Sequence, residues 1–316
     1  MAELIGYIFA IDAIITWALA SLVYKKGLDK TDPKGTLLFR LCCVSIFTLI
    51  ISFIIGDFLI FHSLERSELI FYLIMCLMSG LTVTIGDMCY FASLKKIDAS
   101  RAYPLTQLSL IFIYPFAFIF FGEELTLSII VGGLLILSSV FLLSTKDKEE
   151  VKDEESEEKT EGETDGASEK VLLGVLLAIG TAFFWALAIV SFHQARIISG
   201  DVFVTNFIRI AFATISILIF GIFKREYYSG FKKENREYLK YNVFMGIAGS
   251  LSLGLADSLF YKAAEINGLV VTATITANTP MVQQIFSNLI LKEKFRRRFL
   301  LAVILIIMGN YIILLL

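Results

Sequence analysis

Histidine is scarce in this 316-residue chain, limited to the widely separated His62 and His193, and cysteine is nearly so. The four cysteines, Cys42, Cys43, Cys76 and Cys89, lie inside apolar runs with no CxxC spacing. These shortages argue against a metal cluster and a disulfide framework. No GxxxxGK(S/T) phosphate loop occurs, and no nucleophile sits beside a base. ATP-driven work and enzymatic catalysis are therefore not expected, nor is any cofactor or metal. Charge is short as well: 18% of residues are charged against 57% hydrophobic, which does not furnish a soluble surface. Lys and Arg are also missing ahead of the first apolar run, so Leu4 to Tyr24 reads as a retained span rather than a cleavable signal.

What is present is apolar sequence, with a mean hydropathy of +0.76. Runs long enough to cross a bilayer, about 20 residues each, fall at 4–24, 36–55, 69–91, 100–121 and 125–144, and again at 171–191, 202–223, 239–261, 269–291 and 299–316. The fold expected is an all-α integral membrane protein of ten transmembrane helices. The turn Gly122-Glu123-Glu124 makes the fourth and fifth spans a tight hairpin. One long polar stretch, 146–170, separates the halves and holds twelve acidic residues against five lysines, a net of −7 that leaves the rest of the chain at +5. Such a composition buries nothing and reads as a disordered linker.

Basic residues sort by side. The connections after spans 1, 3, 7 and 9 carry 4, 3, 6 and 5 of them, and the linker adds 5, whereas the opposite face has Arg66, Arg196 and Lys262. Because cytoplasmic loops are enriched in Lys and Arg, the charged loops and linker are placed in the cytoplasm and both termini outside, in an inner or plasma membrane. The cluster Lys292, Lys294, Arg296, Arg297 and Arg298, with Lys232, Lys233 and Arg236, reads as a topology anchor touching anionic lipid rather than nucleic acid.

The two halves are copies. Trp17-Ala18-Leu19-Ala20 matches Trp185-Ala186-Leu187-Ala188 at an offset of 168, Arg40 matches Arg209 at 169, and Asp87 and Glu123 match Asp257 and Glu293 at 170. Five spans per copy is odd, so the second copy enters from the other face: inverted repeats, 1–145 and 171–316, an arrangement that puts a substrate site between them near the midplane. The plan, the paired Trp17 and Trp185, and the fourth-span ending Phe121-Gly122-Glu123-Glu124-Leu125 with its counterpart Leu291-Lys292-Glu293-Lys294-Phe295 resemble the EamA type of the drug/metabolite transporter superfamily. Leu110 stands where that family often has proline, and Pro280 occupies the equivalent place in the second copy. The resemblance implies a carrier for a small metabolite, often an exporter, without an ATP-binding part.

Intramembrane ionisable groups cost roughly 2.5 to 3.5 kcal/mol each even on the lenient insertion scale, which singles out Asp12, Arg40, Asp87, Arg209 and Asp257. Arg40 with Asp87 and Arg209 with Asp257 are expected as two ion pairs, one toward each membrane face, acting as gates or as static struts. Asp12, unmatched at Gly180, is expected about 12 Å deep in span 1, where a raised pKa suits proton coupling. Substrate contacts are expected from Trp17, Tyr103, Gln107, Trp185, Thr276, Asn278, Thr279 and Gln283. Of these, Thr276, Thr279 and Gln283 continue a stripe from Thr272 at helical spacing. Gly80, Thr84, Ser250 and Gly254 read as close-packing positions, Glu123 and Glu293 as caps of the following helix, and His193 as a solvated loop residue. The partners expected are a small polar or amphipathic molecule such as an amino acid, moved outward by alternating access, with a proton and the bilayer; monomer and homodimer both fit. A sugar-phosphate or nucleotide-sugar exchanger and a non-transporting scaffold or sensor are the alternatives. The first lacks a mid-depth lysine pair, and the second predicts that the linker, not the polar stripe, is indispensable.

Overall fold

The structure, a computed structural model, describes residues 2–144, 164–231, 236–291 and 299–315. Among the described residues every regular element is helical. In chain order they are α1 (Ala2–Leu28), α2 (Pro33–Ile55), the short α3 (Ile60–Ser63), α4 (Arg66–Leu94), α5 (Ala99–Thr106), α6 (Ser109–Phe121), α7 (Leu127–Ser144), α8 (Thr164–Ser199), α9 (Val202–Phe223), α10 (Arg236–Gly249), α11 (Asp257–Asn267), α12 (Leu269–Thr276), α13 (Thr279–Phe286) and α14 (Phe299–Leu315). Seven helical stretches are long and apolar enough to cross a membrane, and Leu127–Leu142 and Leu301–Ile313 are shorter apolar helices. The helix expected from Val171 begins at Thr164, inside the acidic linker; the linker residues before it lie outside the described residues, as do Lys232, Lys233, Glu293 and the Lys292 to Arg298 cluster.

The polarity is inverted relative to a soluble protein. Phe223, Leu127 and Ile54 are 81%, 77% and 74% exposed, while Arg40, Asp87, Arg209, Asn206, Asn242 and Gln283 are buried. Helices satisfy their own backbone groups, which lets that apolar exterior face lipid while side-chain polarity concentrates inside.

Local chemistry repeats with the offset. Asp32 caps α2, accepting from the backbone N–H of Gly35 at 3.0 Å, and Asp201 caps α9, accepting from that of Val204 at 2.7 Å. The lysines counted for topology also have structural partners: Lys25 Nζ donates to the carbonyls of Leu94 (2.7 Å) and Ile97 (3.2 Å), and Lys95 Nζ to that of Thr31 (2.8 Å). Gly80 is a close crossing, since a Cβ there would stand 2.5 Å from the carbonyl oxygen of Arg209.

Two irregularities shape the interior. The stretches expected as continuous spans 100–121 and 269–291 are each broken, at Gln107-Leu108 between α5 and α6 and at Ala277-Asn278 between α12 and α13, positions 170 apart. Pro280 has no N–H for the carbonyl of Thr276, which accepts instead from the Thr279 hydroxyl at 2.5 Å. In the first copy Pro104 sits inside α5, and the chain passes the break on i to i−3 bonds such as Gln107 N–H to the carbonyl of Pro104 (3.0 Å). The second irregularity is a π-helical turn at Ser250–Ala256, between α10 and α11. Asn206 serves it, its Nδ2 donating to the carbonyls of Leu253 and Gly254, both at 2.9 Å. The equivalent position in the first copy, where α4 is uninterrupted, is Leu37. Asn206→Leu should therefore lower stability by about 1 to 3 kcal/mol, seen as a lower midpoint in thermal unfolding of the detergent-solubilised protein; an unchanged midpoint would mean the turn does not need the amide.

Candidate functional site

Between the halves lies a cavity of about 120 Å³. Four of the five expected ionisable groups, Arg40, Asp87, Arg209 and Asp257, border it. Arg40 is salt-bridged to Asp87 through Nη2 and Oδ2, and Arg209 Nη2 reaches Asp257 Oδ2 at 2.5 Å. Each carboxylate has a second donor from the other copy: Trp185 Nε1 donates to Asp87 Oδ1 at 3.1 Å, and Trp17 Nε1 to Asp257 Oδ1 at 3.0 Å. Arginine and aspartate pair within a copy, while tryptophan crosses over. Gly86 makes room for the first crossing, because a Cβ there would lie 2.5 Å from Trp185 Cδ1.

Aromatic rings complete both sites. The Arg40 guanidinium lies 5.1 Å from the Tyr24 ring and 4.8 Å from the Phe91 ring; the Arg209 guanidinium lies 4.7 Å from Phe192 and 5.8 Å from Tyr261. Tyr24 and Phe192 are 168 apart and Phe91 and Tyr261 are 170 apart, the offsets of the repeat. The indoles follow the same rule, with Trp185 at 5.3 Å from Tyr90 and Trp17 at 5.6 Å from Phe260. Cation–π contacts and hydrogen bonds together hold each buried charge in place. Sequence reasoning missed these six aromatics, although extending the 168 to 170 offset to every aromatic residue would have paired them.

Of the residues expected to meet substrate, Trp17, Tyr103, Gln107, Trp185 and Thr276 line the cavity, and Asn278, Thr279 and Gln283 do not. The stripe expected from Thr272 to Gln283 assumed one straight helix; the break at 277–278 interrupts it. Asn278 Nδ2 instead donates to Asn310 Oδ1 on α14 at 2.8 Å. The cavity walls add Ser21, Thr106, Ser109 and Ser252, so both helix breaks contribute hydroxyl groups.

Several expectations are corrected. Both ion pairs border one cavity, because the halves interlock through the tryptophans. Asp12 is exposed, on the same outward stripe of α1 as Ile8, Ile15 and Leu19, and is absent from the cavity wall. A depth estimate fixes how far along the helix a residue lies but not which side it faces. Glu123 does not cap the helix that follows it: its Oε1 and Oε2 accept the backbone N–H groups of Leu269 and Val270 at the start of α12, each at 2.8 Å. Gly122, with φ of 65°, turns the chain to aim it there. His193 is buried in α8, edge-on to Phe121 at 4.7 Å, with Nε2 4.0 Å from Glu123 Oε1.

A cavity enclosed by two related helical halves, lined by paired charges, aromatic faces and hydroxyl groups and surrounded by an apolar exterior, is the interior of a helical membrane transporter. The sequence matches the EamA-like transporter family twice, over residues 4–145 and 172–315, and the chain belongs to that family. It is 23% identical over 312 residues, 98% of this chain and 97% of the relative, to an uncharacterized transporter of Archaeoglobus fulgidus. It is 28% identical over 148 residues, 47% of each chain, to the uncharacterized transporter YvbV of Bacillus subtilis. A solved crystal structure shares the fold at a TM-score of 0.67 with 15% identity, covering 99% of this chain and 96% of that one.

Removing one member of a buried ion pair strands the other, at a cost of about 3 to 5 kcal/mol, whereas replacing both with apolar residues is often neutral. Asp87→Leu should fall in that range and the double variant Arg40→Met with Asp87→Leu should recover most of it, measured by thermal unfolding in detergent. A double variant as unstable as the single one would contradict the pairing.

Proposed function

We propose that the protein is a secondary carrier that moves a small polar or amphipathic metabolite across the membrane by alternating access. The observation that supports it is the shared cavity, bounded by both copies at the two helix breaks, where broken helices offer backbone and hydroxyl groups to a ligand. Ten spans fit this reading: the seven long stretches, the two shorter apolar helices, and the broken α12–α13 stretch as the ninth in order. The second copy is inverted with respect to the first, the termini face outward, and the linker and basic loops face the cytoplasm, as the distribution of Lys and Arg indicates.

The cavity chemistry favours a ligand without excess charge. Arg40 and Arg209 are already neutralised by Asp87 and Asp257, and both oxygens of each carboxylate have donors. What stays available is aromatic surface from Trp17, Trp185, Tyr90 and Tyr103 with hydroxyl and amide groups from Ser21, Thr106, Gln107 and Thr276. That combination suits an amino acid or a molecule of similar size and polarity, and the proposed direction is export. The carboxylates on the wall are Asp87 and Asp257, whereas Asp12 lies on the outward stripe of α1, so this reading gives Asp12 no part in transport.

A metabolite library assayed by thermal shift and by uptake into proteoliposomes tests the reading. At least one small polar or amphipathic compound should both stabilise the protein and be transported. For that compound Thr276→Val should raise KM about tenfold, the equivalent of one hydrogen bond, and Asp12→Asn should leave transport and any proton-gradient dependence unchanged. No transported compound, or loss of gradient dependence with Asp12→Asn, would contradict it.

A further inference from the structure

Gln283 and Gln284 are 0% and 1% exposed on α13, and all four of their amide atoms, Nε2 and Oε1 of each, have no hydrogen-bond partner among the described residues. Exchanging the amide oxygen and nitrogen does not help, since both ends are unpaired. Leaving such groups unsatisfied is costly, and a leucine at either position would avoid the cost. Buried polar groups in folded proteins nearly always have a use for their hydrogen bonds. Two adjacent amides without one therefore point to a partner supplied in another conformation.

The repeat shows which conformation. At the offset of 170, Gln283 corresponds to Ile113 and Gln284 to Tyr114 on α6. Ile113 lies on the cavity wall, and Tyr114 pairs its hydroxyl with that of Thr274 on α12 at 2.6 Å. Gln283 is absent from the wall, and α13 packs against α1 and α5. Both side chains are buried, but the same position thus borders the cavity in one copy and lies between helices away from it in the other.

We propose that Gln283, with Gln284 beside it, is a second polar subsite of the transport path, sealed in this structure and brought to the cavity wall when the two copies exchange conformations. It takes a ligand group that both donates and accepts hydrogen bonds without net charge, a hydroxyl or a carboxamide. The inference rests on the alternating-access reading and adds a chemical asymmetry to it. In one state position 113 offers the ligand an isoleucine, and in the other position 283 offers an amide. The ligand is then held by different contacts in the two states, and differential contacts are what shift a conformational equilibrium.

The test needs no knowledge of the substrate. In the full chain, with Cys42, Cys43 and Cys89 replaced by alanine, native Cys76 is an internal reference, because it is fully buried in a cluster with Tyr72 and Ala195. A membrane-impermeant charged methanethiosulfonate is applied to each face of oriented vesicles carrying Gln283→Cys or Ile113→Cys. Gln283→Cys should react at least about tenfold faster than Cys76, and from the face opposite to that which labels Ile113→Cys. A rate no higher than that of Cys76 from either face overturns the subsite while leaving the carrier reading intact. With a substrate in hand, Gln283→Leu should match or exceed the wild-type thermal midpoint yet raise KM about tenfold, one hydrogen bond's worth. A lowered midpoint with unchanged transport assigns the amide to the scaffold and overturns the subsite.

Discussion

Two buried carboxylates, each clamped by an arginine of its own copy and an indole of the other, are the constraint around which the interior is arranged. A lone charge in this setting costs several kcal/mol, so Asp87 and Asp257 bind their partners as a condition of folding. Because the arginine comes from one half and the tryptophan from the other, satisfying each carboxylate also brings the halves together. The cavity is the space left between those clamps, and its aromatic lining is largely the packing that surrounds them.

Other cross-copy contacts act in the same direction. Glu123 reaches from the end of α6 to the first N–H groups of α12, where the helix dipole also favours a negative charge. His193 and Phe121 pack beside it. Asn206 stands where the first copy has Leu37 and supports a π turn directly ahead of Asp257, so the two carboxylates are presented by helices of unequal geometry. The copies are related but not equivalent.

Much of this was legible in the sequence because it rests on cost and repetition. Apolar runs of sufficient length gave the helices, and intramembrane charge is so expensive that Arg40, Asp87, Arg209 and Asp257 pointed to one another. The offset of 168 to 170 gave the repeat. What stayed hidden depends on which way a helix faces. In a bilayer apolar residues cover the lipid side as well as the packed side, so periodicity does not tell the two apart. That is why Asp12 was expected inside, and why periodicity did not show that the tryptophan N–H groups serve the carboxylates of the other copy. His193 was read as solvated because its helix was expected to end earlier; α8 runs on to Ser199 and carries it inward. The broken spans were hidden for a different reason: Pro104 and Pro280 are visible, but proline is common enough in membrane helices that neither signalled a break by itself.

The central claim is the crossing of tryptophan from one copy to aspartate of the other, and a pair of double-mutant cycles on thermal stability measures it directly. Trp17→Phe keeps an aromatic ring but removes the donor. Combined with Asp257→Asn it should show a coupling of about 0.5 to 3 kcal/mol, and combined with Asp87→Asn it should be additive within about 0.5 kcal/mol. Coupling of Trp17 to Asp87 in its own copy, with additivity toward Asp257, would contradict the account.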